Sequence, residues 1–204
     1  MSIETFTDIE QGSPEWFAVR LGIPTASMFN EVLMQPGPRG GIPKGRQTYM
    51  RKLAGEIITG EPMDSYTNAS MERGKEREVE ARDLYAMLNE VEPTQVGFIR
   101  NGNCGCSPDA LIGNDGLFEN KDALAHIQIE RLENGTMPSE HVAQCQGGLM
   151  VSHRSWIDFM SYCRGLPPLI IRVHRDEKYI AALRIAVNEF VEELNALVAR
   201  IRSM

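Results

Sequence analysis

No apolar run in the 204-residue sequence approaches the roughly 18 residues that a membrane-spanning helix needs, so no membrane association is expected. Cysteine is scarce. Cys104, Cys106, Cys145 and Cys163 are too few and too irregularly spaced for a disulfide framework, and the single C-x-C lacks the second pair of a zinc ribbon. They are expected to stay reduced. Histidine is equally sparse: His126, His141, His153 and His174 form no H-E-x-x-H or comparable pairing, so no zinc is expected. The first residues, MSIETFTDIEQGSPEW, have neither a basic nor an apolar signal region, and a cytoplasmic location is expected. Internal repeats and low-complexity blocks are absent as well.

What is present is ordinary globular material. Apolar residues at 42% and charged residues at 24% suit one domain spanning 1–204, long enough to bury a core without staples. The net charge of −7 opposes nucleic-acid binding on its face, because DNA affinity rests on Lys and Arg at phosphates. Binding depends on where charge sits, however. Between Arg39 and Lys52 stand Arg39, Lys44, Arg46, Arg51 and Lys52 without a single acid. Charge leaves a nucleic-acid partner open.

The order of elements predicts a mixed α/β layer fold, helices against a sheet. Gly and Pro crowd Met34–Gly45, a long loop. Helices are expected at Ala26–Leu33, at Gln47–Thr59 with Met50, Leu53, Ile57 and Ile58 on one face, and at Ser65–Asn89 with Val79, Ala81, Tyr85 and Leu88 as a buried stripe. Strands follow at Gln95–Asn101, Cys106–Gly113 and Leu117–Ala123. A helix near Ser139–Val151, strands at Trp156–Arg164 and Leu169–His174, and a last amphipathic helix complete the chain. Ile180, Leu183, Val187, Phe190, Leu194, Leu197, Val198 and Ile201 recur there at spacings of three and four.

The chemistry concentrates between Ser107 and Lys121. Asn114-Asp115-Gly116 between β-compatible runs signals a hairpin. A three-residue turn closed by a left-handed Gly116 would pair Gly113 with Leu117, Leu111 with Glu119 and Asp109 with Lys121. Side chains alternate along a strand, so Asp109, Glu119 and Lys121 would share a face. A two-residue turn would send Glu119 to the other side. Two carboxylates and an ammonium suit a hard cation such as magnesium, which takes oxygen ligands and activates a bound water.

Asp109 with Glu119-Asn120-Lys121 resembles the D…E-x-K signature of the PD-(D/E)XK nucleases. Other segments resemble the lambda-exonuclease-like (YqaJ) viral recombinase family within it. They are Trp16-x-x-x-Arg20-x-Gly22-x-x-Thr25-Ala26-Ser27, Gly74-Lys75-x-x-Glu78-x-x-Ala81-Arg82, Ser107-Pro108-Asp109, Ala143-Gln144-x-Gln146, and Arg175-Asp176-Glu177-Lys178-Tyr179. They run in family order over nearly the whole chain. One departure is Asp122-Ala123 after the lysine, where the family pattern has a small residue followed by proline.

The resemblance implies a restriction-endonuclease-like core with a central mixed sheet flanked by helices. It implies metal binding by Asp109, Glu119, the Asn120 backbone carbonyl and Glu78, with Lys121 positioning the attacking water and Gln144 beside the scissile phosphate. Arg20, Thr25, Ser27 and Ser107 would bind a 5′-terminal phosphate; Gln146 faces away from Gln144 on the helix and stays outside the site. The implied activity is magnesium-dependent 5′-to-3′ digestion of double-stranded DNA ends, with manganese as substitute, leaving 3′ overhangs. A ring-shaped homotrimer, a single-strand annealing partner and the bacterial host cytoplasm follow from the same resemblance. Another PD-(D/E)XK endonuclease, an iron–sulfur nuclease, or a non-catalytic DNA-end-binding protein remain the alternatives.

Overall fold

The structure, a computed structural model, describes residues 2–34, 41–63 and 69–204, with side chains in the last span from residue 76 onward. The expected helix start at Ser65, most of the Met34–Gly45 loop including Arg39, and the side chains of Gly74 and Lys75 lie outside the described residues.

The chain runs β1 (Ile3–Phe6), α1 (Pro14–Arg20), a short 3-10 turn (Ala26–Met28), α2 (Phe29–Leu33), α3 (Lys44–Thr59), α4 (Ala69–Asn89), β2 (Pro93–Thr94), β3 (Phe98–Asn101) and β4 (Cys104–Cys106). It continues through β5 (Ala110–Ile112), β6 (Gly116–Asp122), α5 (Ala125–Asn134), α6 (Ser139–Ser152), β7 (Trp156–Tyr162), β8 (Leu169–His174) and α7 (Glu177–Arg202). A five-stranded sheet has the order β2-β5-β6-β7-β8, and a three-stranded sheet the order β1-β3-β4. β6 and β7 are parallel while their outer neighbours pair antiparallel. The expected central mixed sheet flanked by helices is therefore the fold.

Alternation along β6 and β7 divides the core. Leu117, Ile157 and Phe159 face α6, α7 and α3 in the larger cluster. Phe118, Met160 and Tyr162 face α4, whose Ala81 and Tyr85 close a second cluster. Both faces are apolar because helices cover both, as a sheet with a parallel central pair requires. The Tyr85 hydroxyl donates to Asp158 Oδ2 at 2.6 Å, and Arg172 grips the same carboxylate with two hydrogen bonds of 2.8 Å. Asp158 is 2% exposed, so these partners supply what water would. They also fix α4, and with it Glu78, against the sheet.

Three expected helix faces need correction. Val79 and Leu88 are 46% and 53% exposed rather than part of the α4 stripe; Leu84 and Val91 pack there instead. At about 100° per residue, Val79 sits roughly 200° around the helix from Ala81. Ile58 is exposed while Ile57 packs against Gly22. On α7 the buried row ends at Val198; Leu197 is half-buried and Ile201 exposed. Asp176 caps that helix by accepting from Lys178 N and Tyr179 N.

The expected strand Cys106–Gly113 is two strands in two sheets. Pro108 has no N–H to offer a ladder, and the chain crosses from β4 to β5 over Ser107, Pro108 and Asp109. The hairpin register also differs from expectation. Ala110 pairs with Phe118, Leu111 with Leu117 and Ile112 with Gly116, so the turn is Gly113–Asp115 and Gly113, at φ +51°, is its left-handed residue. Gly116 is a strand glycine for another reason: a Cβ there would lie 2.3 Å from the Trp156 ring. The shift is two residues, and a period of two leaves every side chain on its expected face.

Candidate active site

The N–H of Asp109 donates to Phe118 O at 3.0 Å, extending the hairpin beyond β5. Its carboxylate reaches back across the pair, and Oδ2 accepts from Asn120 N at 2.6 Å. The Asn120 N–H thus turns towards Asp109, and in a strand a residue's carbonyl points the same way as its N–H. The Asn120 carbonyl therefore faces the Asp109 side.

Glu119 is 5% exposed and holds two partners on one oxygen. Lys121 Nζ donates to Glu119 Oε1 at 2.7 Å, and Gln144 Nε2 donates to the same atom. Gln144 arrives from α6, so sheet and helix must both be in place to assemble the group. Lys121 and Gln144 thus meet on Glu119, and Asp109 joins the same strand through the Asn120 N–H. Gln146 turns away, donating to His174 O and accepting from Asp176 N. Asp122 also points away, since Arg77 binds its Oδ2 at 2.8 Å.

The electrostatics of this group are unfavourable without a cation. Burial first, then the fields of Glu119 and Glu78, push the Asp109 carboxyl well above the usual carboxylate range, against the pull of the Asn120 N–H and Lys121. Burial alone would lower the Lys121 ammonium, but attraction and a hydrogen bond from Glu119, with Asp109 behind, raise it above an ordinary lysine. Lys121 therefore carries its proton at neutral pH.

Such a donor set fits magnesium. Two carboxylates and a backbone carbonyl are hard oxygens, and magnesium completes its shell with waters and substrate phosphate. The charge that raises Asp109 is the charge a divalent ion would neutralise. Among the described residues, no three His, Cys, Asp or Glu side chains converge closely enough to hold an ion by themselves. Glu78 acts on Asp109 through its field, and Arg82 Nη1 lies 3.8 Å from its Oε1.

Three of the expected phosphate residues, Arg20, Ser27 and Ser107, line the same cavity as this group. That space, of ≈ 200 Å³, is lined by Glu119, Lys121 and Gln144 together with Arg20, Ser27 and Ser107. Arg20 Nη1 donates to Ser107 Oγ at 2.8 Å. Thr25 Oγ1 and Ser27 Oγ share a hydrogen bond of 3.3 Å. Thr25 and Glu78 line a larger neighbouring cavity of ≈ 510 Å³, which also takes in Arg20 and Ser27. Arg46 is less suited to DNA than the basic stretch suggested, because both its nitrogens bind Glu193 and its guanidinium lies over Phe190. Lys44 is exposed at the start of α3.

Sequence reasoning missed Gln11 and the hydrogen bonds of Trp16. Gln11 Nε2 donates to Val96 O and Pro108 O, both at 2.9 Å, and pins the crossover that carries Ser107 and Asp109. Trp16 Nε1 donates to Gly97 O at 2.9 Å and Ser107 Oγ at 3.0 Å. Nothing in the sequence marks Gln11, whereas Trp16 stands in the same motif as Arg20.

The YqaJ-like viral recombinase domain matches residues 15–155. The crystal structure of an alkaline exonuclease (LHK-Exo) from Laribacter hongkongensis has a TM-score of 0.83 at 33% identity, covering 94% of this chain and 97% of that one. The same exonuclease in complex with dAMP gives 0.84, with the same identity and coverage. A phage related exonuclease from Haemophilus somnus 129PT, at 13% identity, has a TM-score of 0.65 over 88% of this chain and 96% of its own, a likeness of fold alone. No curated protein sequence matches. The domain match takes in α1, the S-P-D crossover, β6 and α6, the elements that build the site, and the chain belongs to the YqaJ-like viral recombinase family.

Proposed function

We propose that this chain is a magnesium-dependent 5′-to-3′ exodeoxyribonuclease of recombination, one domain over residues 1–204, that loads at a double-stranded DNA end and leaves a 3′ overhang. The observation that carries the reading is one cavity lined by both a carboxylate–lysine group and an arginine–hydroxyl group. The first suits a scissile phosphodiester, the second a terminal phosphate. A terminal nucleotide held by both groups would be released as a mononucleotide. The similarity to an alkaline exonuclease at 33% identity supports the same reading. Manganese as substitute metal, a homotrimeric ring, a single-strand annealing partner and the bacterial cytoplasm belong to this proposal through the family.

Asp109, Glu119 and the Asn120 carbonyl would hold the metal, with Glu78 adding negative charge behind Asp109. When bound, the ion supplies an acidified water and neutralises charge on the phosphate. The chain's own groups do the positioning. Gln144 and Lys121 fix the Glu119 carboxylate by binding the same oxygen. Lys121 keeps its proton on Nζ, directs a water towards phosphorus and offsets the charge that grows on the phosphate oxygens. Arg20 grips a terminal phosphate with guanidinium N–H groups that match its geometry, while Ser107 and Ser27 add hydroxyls.

Incubation with linear duplex bearing or lacking a 5′-phosphate, in magnesium and then in EDTA, tests the reading. Nucleotide release is expected only with the metal, and faster from the phosphorylated end. Closed circular DNA cut as fast as linear would assign the chain to the endonucleases instead.

Arg20→Ala removes the guanidinium that binds Ser107 and stacks 3.9 Å from the Trp16 ring centroid. A charge-assisted hydrogen bond is worth about 1.5–3 kcal/mol, so the preference for 5′-phosphate should fall by roughly 10- to 150-fold. Competition between the two end types measures it. An unchanged preference would place the phosphate pocket elsewhere.

A further inference from the structure

A hydroxyl group has one proton to donate and two lone pairs to accept with. At Ser107 both acceptor positions are engaged: Arg20 Nη1 donates to Oγ at 2.8 Å and Trp16 Nε1 at 3.0 Å. Neither partner can take the Ser107 proton, because guanidinium and indole N–H groups are donors only. The indole is held in turn. Its N–H is shared with Gly97 O at 2.9 Å, its ring lies under the Arg20 guanidinium, and Phe17 meets it edge-on with centroids 5.0 Å apart.

We propose that Trp16 is a positioning residue that fixes the polarity of Ser107: by filling its second lone pair, the indole N–H leaves the hydroxyl only its proton to offer the cavity. Ser107 then offers its proton to an acceptor and no lone pair to a donor. A terminal phosphate dianion presents oxygens without protons and matches both this hydroxyl and Arg20. A terminal 5′-hydroxyl can accept one of these hydrogen bonds, but it offers a single neutral oxygen, and its own proton finds no lone pair at Arg20 or Ser107. A site built to pair one polar group discriminates by leaving the wrong group unpaired. Ser27, which shares a hydrogen bond with Thr25 Oγ1 at 3.3 Å, keeps its polarity open, so selection falls on Ser107. This inference rests on the phosphate-pocket reading above and adds how that pocket tells its ligand from a bare end.

Trp16→Phe isolates the N–H, since it keeps an aromatic ring beneath Arg20. It frees the Gly97 carbonyl and one lone pair on Ser107, so the hydroxyl can turn its proton away from the cavity. The readout is the ratio of kcat/KM on 5′-phosphorylated and 5′-hydroxyl linear duplex, with circular dichroism as the check of folding. For the loss of a single neutral hydrogen bond, the ratio should fall by about 3- to 10-fold, through KM on the phosphorylated end. Ser107→Ala should lower it at least as far. Adding Trp16→Phe to Ser107→Ala should then change it no further, because Trp16 acts through that hydroxyl.

A merely structural Trp16 would lower both substrates together and leave the ratio alone, which overturns the proposal. Independent, multiplying losses in the double variant overturn it too. Should Trp16→Phe fail to fold, Ser107→Ala still decides: a full wild-type ratio there sinks the idea. A wild-type enzyme indifferent to the 5′-phosphate would bring down the pocket reading and this inference together. A selective wild type with an equally selective Trp16→Phe brings down this inference alone.

Discussion

Lys121→Ala should slow cleavage by about 10²- to 10³-fold, the range for removing one preorganised donor that stabilises charge in the transition state, while duplex binding stays close to wild type. Lys121 Nζ lies 2.7 Å from Glu119 Oε1 and lines the cavity along with Arg20, Ser27 and Ser107. Its removal takes away the positive charge nearest the growing phosphate charge and leaves Gln144 as the remaining donor to that oxygen. Binding should survive because Arg20, Ser27 and Ser107 remain. The pair also bears on stability, and the sign follows from Lys121 being raised in the folded chain. A raised lysine stabilises fully below its unfolded value and loses that contribution as pH rises through the folded one. The whole contribution is therefore present at neutral pH and lost in the variant. Single-turnover rates and equilibrium binding to a blunt duplex separate the effects. Wild-type turnover in Lys121→Ala would remove this lysine from the chemistry.

Asp109→Asn is expected to abolish metal-dependent cleavage and yet raise the melting temperature of the metal-free protein. An amide keeps an oxygen to accept from Asn120 N, the bond of 2.6 Å seen for Oδ2, and discards the charge. Burial, Glu119 and Glu78 raise the folded pKa of this carboxyl, so the folded chain binds its proton more tightly than the unfolded one. Stability from this group then declines as pH climbs from the unfolded value to the folded one. Above both, the charged carboxylate opposes folding, and the amide relieves it. Each kcal/mol relieved should raise the midpoint by about 2–4 °C in a chain of this size. Magnesium should reverse the order, because a ligand that binds the native state stabilises it by mass action. The wild type gains with added metal and the variant does not. Thermal unfolding at neutral pH across a magnesium titration reads both effects. A variant that melts lower without metal, or gains equally with it, would contradict the charge assignment at Asp109.

The candidate site was legible in outline because β structure has a period of two. Asp109, Glu119 and Lys121 fall at odd positions on either side of a three-residue turn, and any even shift of register keeps them on one face. The register expected from Asn114–Gly116 was two residues away from that of the structure, yet the face survived. The glycine was misread for a definite reason. Gly116 looks like a turn residue in sequence, and only the Trp156 ring from another strand shows that it is a contact glycine. Likewise Cys106–Gly113 reads as one strand locally, although Pro108 marks the break. Which sheet each half joins depends on partners far along the chain.

By itself the sequence determined the amphipathic α7, the hairpin with its three chemical residues, and the motif order that implied the family. Those are local periodicities and side-chain identities, set by backbone geometry over a few residues. The tertiary structure decided what depends on contacts between distant segments. It bonded Gln144 of α6 to Glu119 of β6, and put Arg20 of α1 against Ser107 of the crossover. It turned Arg46 towards Glu193, away from the role its charge suggested. It also brought the Trp16 indole to the second lone pair of Ser107, 91 residues along the chain. A hydrogen bond of that span follows from packing, which no local pattern specifies.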